Sequence, residues 1–165
     1  MHEELGVPMT PAEISDEVVA RLSARYRDHL PLLPHAREAV EGLAAHWPLG
    51  LASSSNRELI DLVLAIAELS GCFRATVSSE EVARGKPAPD VFLEAARRLG
   101  FEPPACAAIE DSSNGIQAAA AAGMLVVAVP QPDYAPGADA LSLADVVLPS
   151  LGELNVNTLT KSMRA

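Results

Sequence analysis

Helical and strand patterns alternate along the chain beyond about residue 30, and this alternation constrains the fold more than any other feature. The apolar runs LGLAS (49–53), ATVS (75–78), CAAI (106–109) and LVVAV (125–129) have the length and composition of buried strands. Amphipathic helical segments separate them, and DVVL (145–148) is predicted to be an edge strand. Because strands that alternate with helices form crossover units, we predict an α/β fold with a parallel, Rossmann-like sheet and helices on both faces.

The first 30 residues differ from the rest because their pattern is helical only. Thr10 and Pro11 open a helical pattern that ends near His29. The sequence LPLLP (30–34) then interrupts the chain with two prolines, which favours a short, stiff connector. We therefore predict two parts: residues 1–30, a helical arm, and residues 31–165, the α/β core.

Charge and composition exclude several function classes. The 165 residues carry a formal net charge of -10, so they offer no basic surface for nucleic-acid phosphates and no cationic helix for a membrane. The 2 cysteines and 4 histidines share no ligand spacing, which argues against a disulfide framework or a zinc site. Without a signal core or a long apolar run, the expected location is the cytoplasm.

Polar residues follow three of the predicted strands, at the edge where open parallel sheets bind ligands. They are Ser53, Ser54 and Ser55 after the first strand, Lys86 in the loop RGKPAP after the second, and Glu110 and Asp111 after the third. Hydroxyls and N–H groups at a helix start suit an oxyanion, a lysine suits a phosphoryl group, and carboxylates suit Mg2+. Each feature alone also fits a helix cap, a surface lysine or a turn. Together they predict a phosphate and magnesium site.

Local signals near these loops predict where the helices begin and end. Asp90 is predicted to cap a helix that runs through Leu99, and Asn114 with Gln117 resembles a capping box. Gly123 suits the left-handed residue that follows a helix. The alanines at 118–122 favour tight packing of this helix on the sheet.

In the order LASSSN, GKPAPDVF and IEDSSNGIQAAAAAGM, the chain resembles the haloacid dehalogenase superfamily, in particular phosphatases and sugar-phosphate mutases of the β-phosphoglucomutase type. The resemblance covers about residues 33–130. It implies that the serine hydroxyls and the lysine bind and neutralise a transferring phosphoryl group, and that the acidic pair holds Mg2+. The residues are Ser53, with Ser54 and Ser55 in the same loop, Lys86, and Asp111 with Glu110 beside it, Asp111 being the surer direct ligand.

The chain departs from the family pattern at the nucleophile. Family members attack phosphorus with an aspartate on an amino-terminal strand that ends in Asp-x-Asp-Gly, and no such segment occurs here. By the same resemblance, residues 1–30 correspond to the last part of a helical cap. The absent strand would lie between the strands at 106–109 and 49–53, so those two must either pair directly or leave ladder groups unsatisfied.

The resemblance implies a magnesium-dependent phosphatase that acts on a small phosphorylated metabolite through an aspartyl-phosphate, as a monomer or weak homo-oligomer. We expect the chain itself to be inactive, either as a shortened version of a longer gene product or as a complete polypeptide that has lost catalysis. We favour the first, because the serine, the lysine and both carboxylates occur together.

Three alternatives stay open. A sugar-phosphate mutase would use the same residues. A receiver domain also combines acids, a hydroxyl and a lysine, but in another order along the chain. A non-catalytic module could bind phosphate or a partner at an exposed sheet centre.

Overall fold

The computed structural model describes residues 9–162, so residues 1–8 of the predicted arm and residues 163–165 lie outside the description. The α-helices are α1 (Pro11–Asp28), α2 (Ala36–Ala44), α3 (Arg57–Ile66), α4 (Asp90–Leu99), α5 (Ser113–Ala121), α6 (Ala138–Leu141) and α7 (Val156–Ser162). The strands are β1 (Leu49–Ser53), β2 (Phe73–Ser78), β3 (Ala107–Glu110), β4 (Leu125–Ala128) and β5 (Val146–Val147). Each predicted strand is therefore present, and no strand end differs from its prediction by more than two residues.

All strand pairs are parallel, but they form two sheets. One sheet has the order β1-β2 and the other has the order β3-β4-β5, with β5 at an edge as predicted. Since each strand is linked to the next by helical segments, the parallel α/β prediction is confirmed.

The strands β1 and β3 do not pair with each other, and within residues 9–162 no strand lies between them. Leu125 N–H donates to the Cys106 carbonyl (3.0 Å) and Val129 N–H donates to the Glu110 carbonyl (2.7 Å). Because successive residues of a strand face opposite ways, the backbone groups of Ala107 and Ile109 point away from β4. Of the two outcomes predicted for these strands, direct pairing is therefore not observed.

A largely apolar cavity of about 430 Å³, here called the cleft, separates the two sheets. Strands β1 and β3 form its sides, and side chains of α2 and α4 cover it from the two faces. Leu43 of α2 and Phe92 of α4 are among the covering side chains, and Leu51 of β1 lines one side.

Helices on both faces hold the sheets together. Helices α4 and α5 pack on one face of both sheets, where Val91, Ala118 and Ala119 are fully buried. Helices α2 and α7 cover the other face through Leu43 and Leu159. The two buried alanines have small side chains, which permits the close packing of α5 that the sequence predicts.

The described part of the arm, residues 9–30, is helical over Pro11–Asp28, as the pattern from Thr10 to His29 predicts. The Thr10 hydroxyl accepts from Glu13 N–H, and the Glu13 carboxylate accepts from Thr10 N–H. Together these two bonds form a capping box at the start of α1. Helix α1 packs against α3. No helix within residues 9–162 has both the length and the hydropathy to cross a membrane.

Two of the predicted caps are wrong and one helix end is confirmed. The N-cap of α4 is Pro89, and Asp90 is the first helical residue, whose carboxylate accepts from Arg84 (2.9 Å). The N-cap of α5 is Ser112, not Asn114, and its hydroxyl accepts from Gly115 N–H (3.1 Å). After α5, Gly123 has φ +75°, in the left-handed region as predicted.

Candidate functional site

A polar pocket of about 610 Å³ opens at the carboxyl ends of β1 and β3. It contains every residue that the sequence predicts for the site. The lining comprises Ser53, Ser54, Ser55, Lys86, Glu110 and Asp111, with Leu33, Ala52, Ile109, Ser112, Ser113, Asn114, Val129, Gln131 and Leu151. The cleft also touches Ala52, Ile109, Glu110 and Leu151, so the polar pocket lies at one end of the cleft.

The serine loop, residues 53–55, connects β1 to the start of α3. The Ser53 hydroxyl accepts a hydrogen bond from Ser55 N–H (3.1 Å). At the first turn of α3, the N–H of Arg57 donates to the Glu80 carboxylate (2.9 Å). The backbone donors at 55 and 57 are therefore already occupied, and the prediction that N–H groups are free there holds for neither of them. The hydroxyls of the serine loop are therefore the side-chain donors there that can contact an anion.

Lys86 is largely buried, with 10% of its side chain exposed, and it bridges the two sheets. Its Nζ donates to the carbonyl of Ala52 at the end of β1 (3.1 Å) and pairs with the Glu110 carboxylate at the end of β3. It also lies 4.7 Å from the centre of the Phe92 ring, within cation–π range. A surface lysine would have none of these partners, so the proline-rich loop places this cation inside the site.

Glu110 is held just as closely. Its side chain is 9% exposed, and besides Lys86 it accepts from the Ser112 hydroxyl (3.2 Å). A Cβ atom built on Gly115 would lie 1.9 Å from Glu110 Oε2, closer than any real contact. Only a glycine at 115 lets the first turn of α5 approach the carboxylate in this way.

Asp111 contrasts with its neighbour, since it is exposed to the pocket and makes no side-chain hydrogen bond within residues 9–162. In the same part of the chain, no group of three or more His, Cys, Asp or Glu side chains is placed to hold a metal ion. Mg2+ commonly takes only one or two protein carboxylates, with waters and phosphate oxygens as the other ligands. The free carboxylate of Asp111, with Glu110 beside it, fits that partial ligand set.

A second charged cluster lies just beyond the pocket, in the acidic turn, residues 78–81. The N–H of Arg57 and the side-chain amide of Asn56 donate to Glu80, and they lower the pKa of that carboxyl. The Arg57 guanidinium, with the N–H of Ser78 and with Arg98, lowers the pKa of Glu81 to about 2. These carboxylates are thus ionised at neutral pH and committed to partners outside the pocket.

Sequence reasoning missed some of the lining. Gln131 follows β4, so the strand-end rule that singles out the other polar residues also applies to it. Leu33 and Leu151 give the pocket an apolar side, and they come from segments that are not strand ends. Phe92, beneath Lys86, was predicted only as part of a helix.

Comparison with known proteins decides the family. The model for the haloacid dehalogenase-like hydrolases matches residues 4–123, well over half of the chain. The chain belongs to the haloacid dehalogenase-like hydrolases. This confirms the resemblance that the three motifs indicate.

Relatives within the haloacid dehalogenase-like hydrolases include phosphatases and a sugar-phosphate mutase. Hexitol phosphatase B of Escherichia coli is 40% identical over 152 residues, which cover 89% of this chain and 66% of that protein. Beta-phosphoglucomutase of Bacillus subtilis is 48% identical over 92 residues, or 55% of this chain and 39% of that protein. The chain thus spans slightly less than two thirds of the first relative and a smaller part of the second.

The fold agrees with the same family. The crystal structure of CbbY from Rhodobacter sphaeroides in complex with phosphate matches with a TM-score of 0.83 and 25% identity, covering 93% of this chain and 70% of that chain. The parallel α/β architecture is therefore that of a haloacid dehalogenase-like hydrolase.

Proposed function

We propose that this chain carries the phosphate-binding and metal-binding residues of a magnesium-dependent phosphatase that acts on a small phosphorylated metabolite. The observation that carries the proposal is the convergence of Ser53, Lys86, Glu110 and Asp111 on one polar pocket. Packing alone does not explain why these four polar side chains occur together. The similarity to hexitol phosphatase B, and to a CbbY structure that contains phosphate, supports the same function.

Each residue has a distinct role in the proposal. The Ser53 hydroxyl donates to a phosphoryl oxygen, and Lys86 provides a buried positive charge beside it. Asp111 and Glu110 would hold Mg2+, which supplies further positive charge for the phosphoryl oxygens when bound. Because Glu110 is already paired with Lys86, Asp111 is the carboxylate that is free to bind the metal directly.

The nucleophile is proposed to come from outside the described residues. Asp111 is the only aspartate within residues 9–162 that lines the pocket, and it is assigned to the metal. Both sides of the cleft have unpaired strand edges, and the cleft ends at the pocket. A strand that fills the cleft and ends in an aspartate would therefore deliver a carboxylate to the phosphoryl group.

The chemistry is then two displacements at phosphorus. A carboxylate oxygen bonds to phosphorus while the ester P–O bond breaks, and a general acid protonates the departing alkoxide. Water next attacks the aspartyl-phosphate, releasing inorganic phosphate and restoring the carboxylate. The general acid, like the nucleophile, is assigned to the incoming segment.

Phosphate binding tests the part of the site that this chain contains. Calorimetric titration of the chain with inorganic phosphate should show binding that requires Mg2+, and Asp111→Asn should weaken it at least tenfold. Asp139→Asn, at an exposed aspartate of α6 outside the pocket, is the matched control and should bind as the unchanged chain does. Equal binding by Asp111→Asn would remove Asp111 from the metal site.

Turnover tests the nucleophile. The chain alone should release no p-nitrophenol from p-nitrophenyl phosphate with Mg2+, whereas a version extended by a strand ending in Asp-x-Asp should be active. Clear turnover by the unextended chain would contradict the assignment of the nucleophile to a segment outside it. The cytoplasmic location and the monomeric or weakly oligomeric state stay predictions.

A sugar-phosphate mutase is the second candidate function, and the 48% identity to a beta-phosphoglucomutase over 92 residues supports it. The two activities differ in whether water or a sugar hydroxyl receives the phosphoryl group. An extended, active version given a hexose phosphate would release inorganic phosphate if it is a phosphatase, and would form an isomeric hexose phosphate if it is a mutase.

A further inference from the structure

Two serines at the end of β2 hold the serine loop from outside the pocket. The Ser79 hydroxyl donates to the carbonyl of Ser54 (3.0 Å), and the Ser78 hydroxyl donates to the carbonyl of Ser55 (2.7 Å). Ser78 is fully buried, and its hydroxyl also accepts from Glu80 N–H (3.1 Å). Neither serine lines the pocket, so their contacts do not serve a ligand directly.

The bond from Ser79 determines which way one peptide plane faces. In a trans peptide the carbonyl of Ser54 and the N–H of Ser55 point in opposite directions. With the carbonyl held by Ser79, the N–H of Ser55 points to the Ser53 hydroxyl, to which it donates (3.1 Å). The Ser53 oxygen therefore acts as an acceptor on that side, which leaves its own O–H free to donate elsewhere.

The acidic turn also lies close to the loop that carries Lys86. A Cβ atom built on Gly85, directly before Lys86, would lie 3.7 Å from the Cβ of Ser79. Ser79 therefore lies near both of the loops that bring polar side chains to the pocket.

We infer that Ser79 is a positioning residue of the phosphate site, because it orients the Ser53 hydroxyl through the peptide that joins Ser54 to Ser55. Ser78 restrains the next carbonyl along the loop in the same manner. The inference rests on the proposed function insofar as the oriented hydroxyl donates to a phosphoryl oxygen. The orientation of Ser53 itself depends only on this chain.

Three variants of the chain test the inference. Ser79→Ala removes the hydroxyl that holds Ser54, whereas Ser79→Thr keeps it. Ser142→Ala is the matched control, since the exposed Ser142 hydroxyl donates to the carbonyl of Asp139 (2.7 Å) and neither residue lines the pocket. In the presence of Mg2+, Ser79→Ala should bind inorganic phosphate about threefold to tenfold more weakly. Ser79→Thr should bind it nearly as the unchanged chain does.

Thermal unfolding and amide exchange separate positioning from general damage. The Tm of Ser79→Ala should fall no further than that of Ser142→Ala, while the amide proton of Ser55 should exchange faster with solvent in Ser79→Ala alone. Unchanged phosphate affinity in Ser79→Ala would overturn the inference. If the unchanged chain binds no phosphate, the proposed function fails. The exchange rate of the Ser55 amide in Ser79→Ala then tests the positioning role by itself. Faster exchange supports that role, and an unchanged rate overturns it.

Discussion

The two-stranded sheet has two unpaired edges, and they have different surroundings. One is the edge of β2 that faces away from β1, and the other is the edge of β1 that faces β3. On β2, the carbonyl of Thr76 accepts from Arg57 (3.1 Å) and from Arg98 (2.8 Å), and both guanidinium groups meet the Glu81 carboxylate. Charged side chains on an edge prevent another strand from pairing with it. The outer edge of β2 is therefore closed to further pairing.

The edge of β1 that faces β3 has no such protection along most of its length. Lys86 occupies the carbonyl of Ala52 at its end, and below that point the edge borders the largely apolar cleft. Charged side chains protect a strand edge that faces solvent, whereas the backbone N–H and C=O groups of a buried edge usually pair with another strand. The two edges therefore differ in their surroundings: that of β2 is lined by ion pairs, and that of β1 borders apolar side chains.

The largest expected effect comes from breaking the ion pair at the end of the cleft. Lys86→Met should lower the free energy of unfolding by about 3 kcal/mol, because it leaves the Glu110 carboxylate buried without its counter-charge. Urea denaturation measures the loss. The double variant Lys86→Met with Glu110→Gln removes both charges and should recover most of it. A single variant as stable as the unchanged chain would mean that the pair contributes nothing to joining the two sheets.

A smaller effect is expected at the outer edge, where Glu81 is partly exposed. Its pKa is lowered to about 2, so its contribution to stability is complete above the ordinary glutamate pKa near 4.5 and is lost as the pH falls toward 2. Glu81→Gln should cost about 1 kcal/mol at pH 7 and should flatten the decline in stability between pH 5 and pH 2. Glu102→Gln removes an exposed carboxylate that has no hydrogen-bond or ion-pair partner within residues 9–162, and this variant should retain the decline. Identical pH profiles for the Glu81 variant and the unchanged chain would show that Glu81 is not a stabilising acceptor.

The smallest effect concerns two non-glycine residues with positive φ, one directly before α2 and one just after α3. His35 (φ 64°) precedes α2, and Glu68 (φ 55°) follows α3. Glu68→Gly should raise the free energy of unfolding by about 0.5 kcal/mol, because the steric strain that glycine relieves here slightly exceeds its entropic cost. His35→Gly should gain less, since the histidine ring lies against Gly152 and that contact is lost. Urea denaturation compares the two variants, and a loss of stability in both would contradict the strain at these positions.

Much of the fold could be predicted because its signals are local. Strand β1 has the predicted bounds, and Gly123 has the predicted conformation, since each depends on a few neighbouring residues. The cap of α5 was missed for the opposite reason. Ser112 and Asn114 are both good caps, and the choice between them follows from the contact of Gly115 with Glu110, which the sequence does not display.

The candidate site likewise has a part that could be predicted from local sequence and a part that could not. Strand ends identified the residues that meet in the pocket, because parallel strands bring their carboxyl ends to one edge. The acidic turn was not predicted, because its bonds span more than twenty residues of sequence. They join Ser79 to Ser54 in the serine loop and Glu80 to Arg57 at the start of α3. Bonds of that separation leave no periodic pattern in the sequence.

The contact between Gly115 and Glu110 has a consequence for how sequence variation at this position should be interpreted. Any side chain at 115 would displace the Glu110 carboxylate and thereby release Lys86 from its partner. A survey of all substitutions would therefore rank this helical glycine with the residues that line the polar pocket, although it has no functional group of its own.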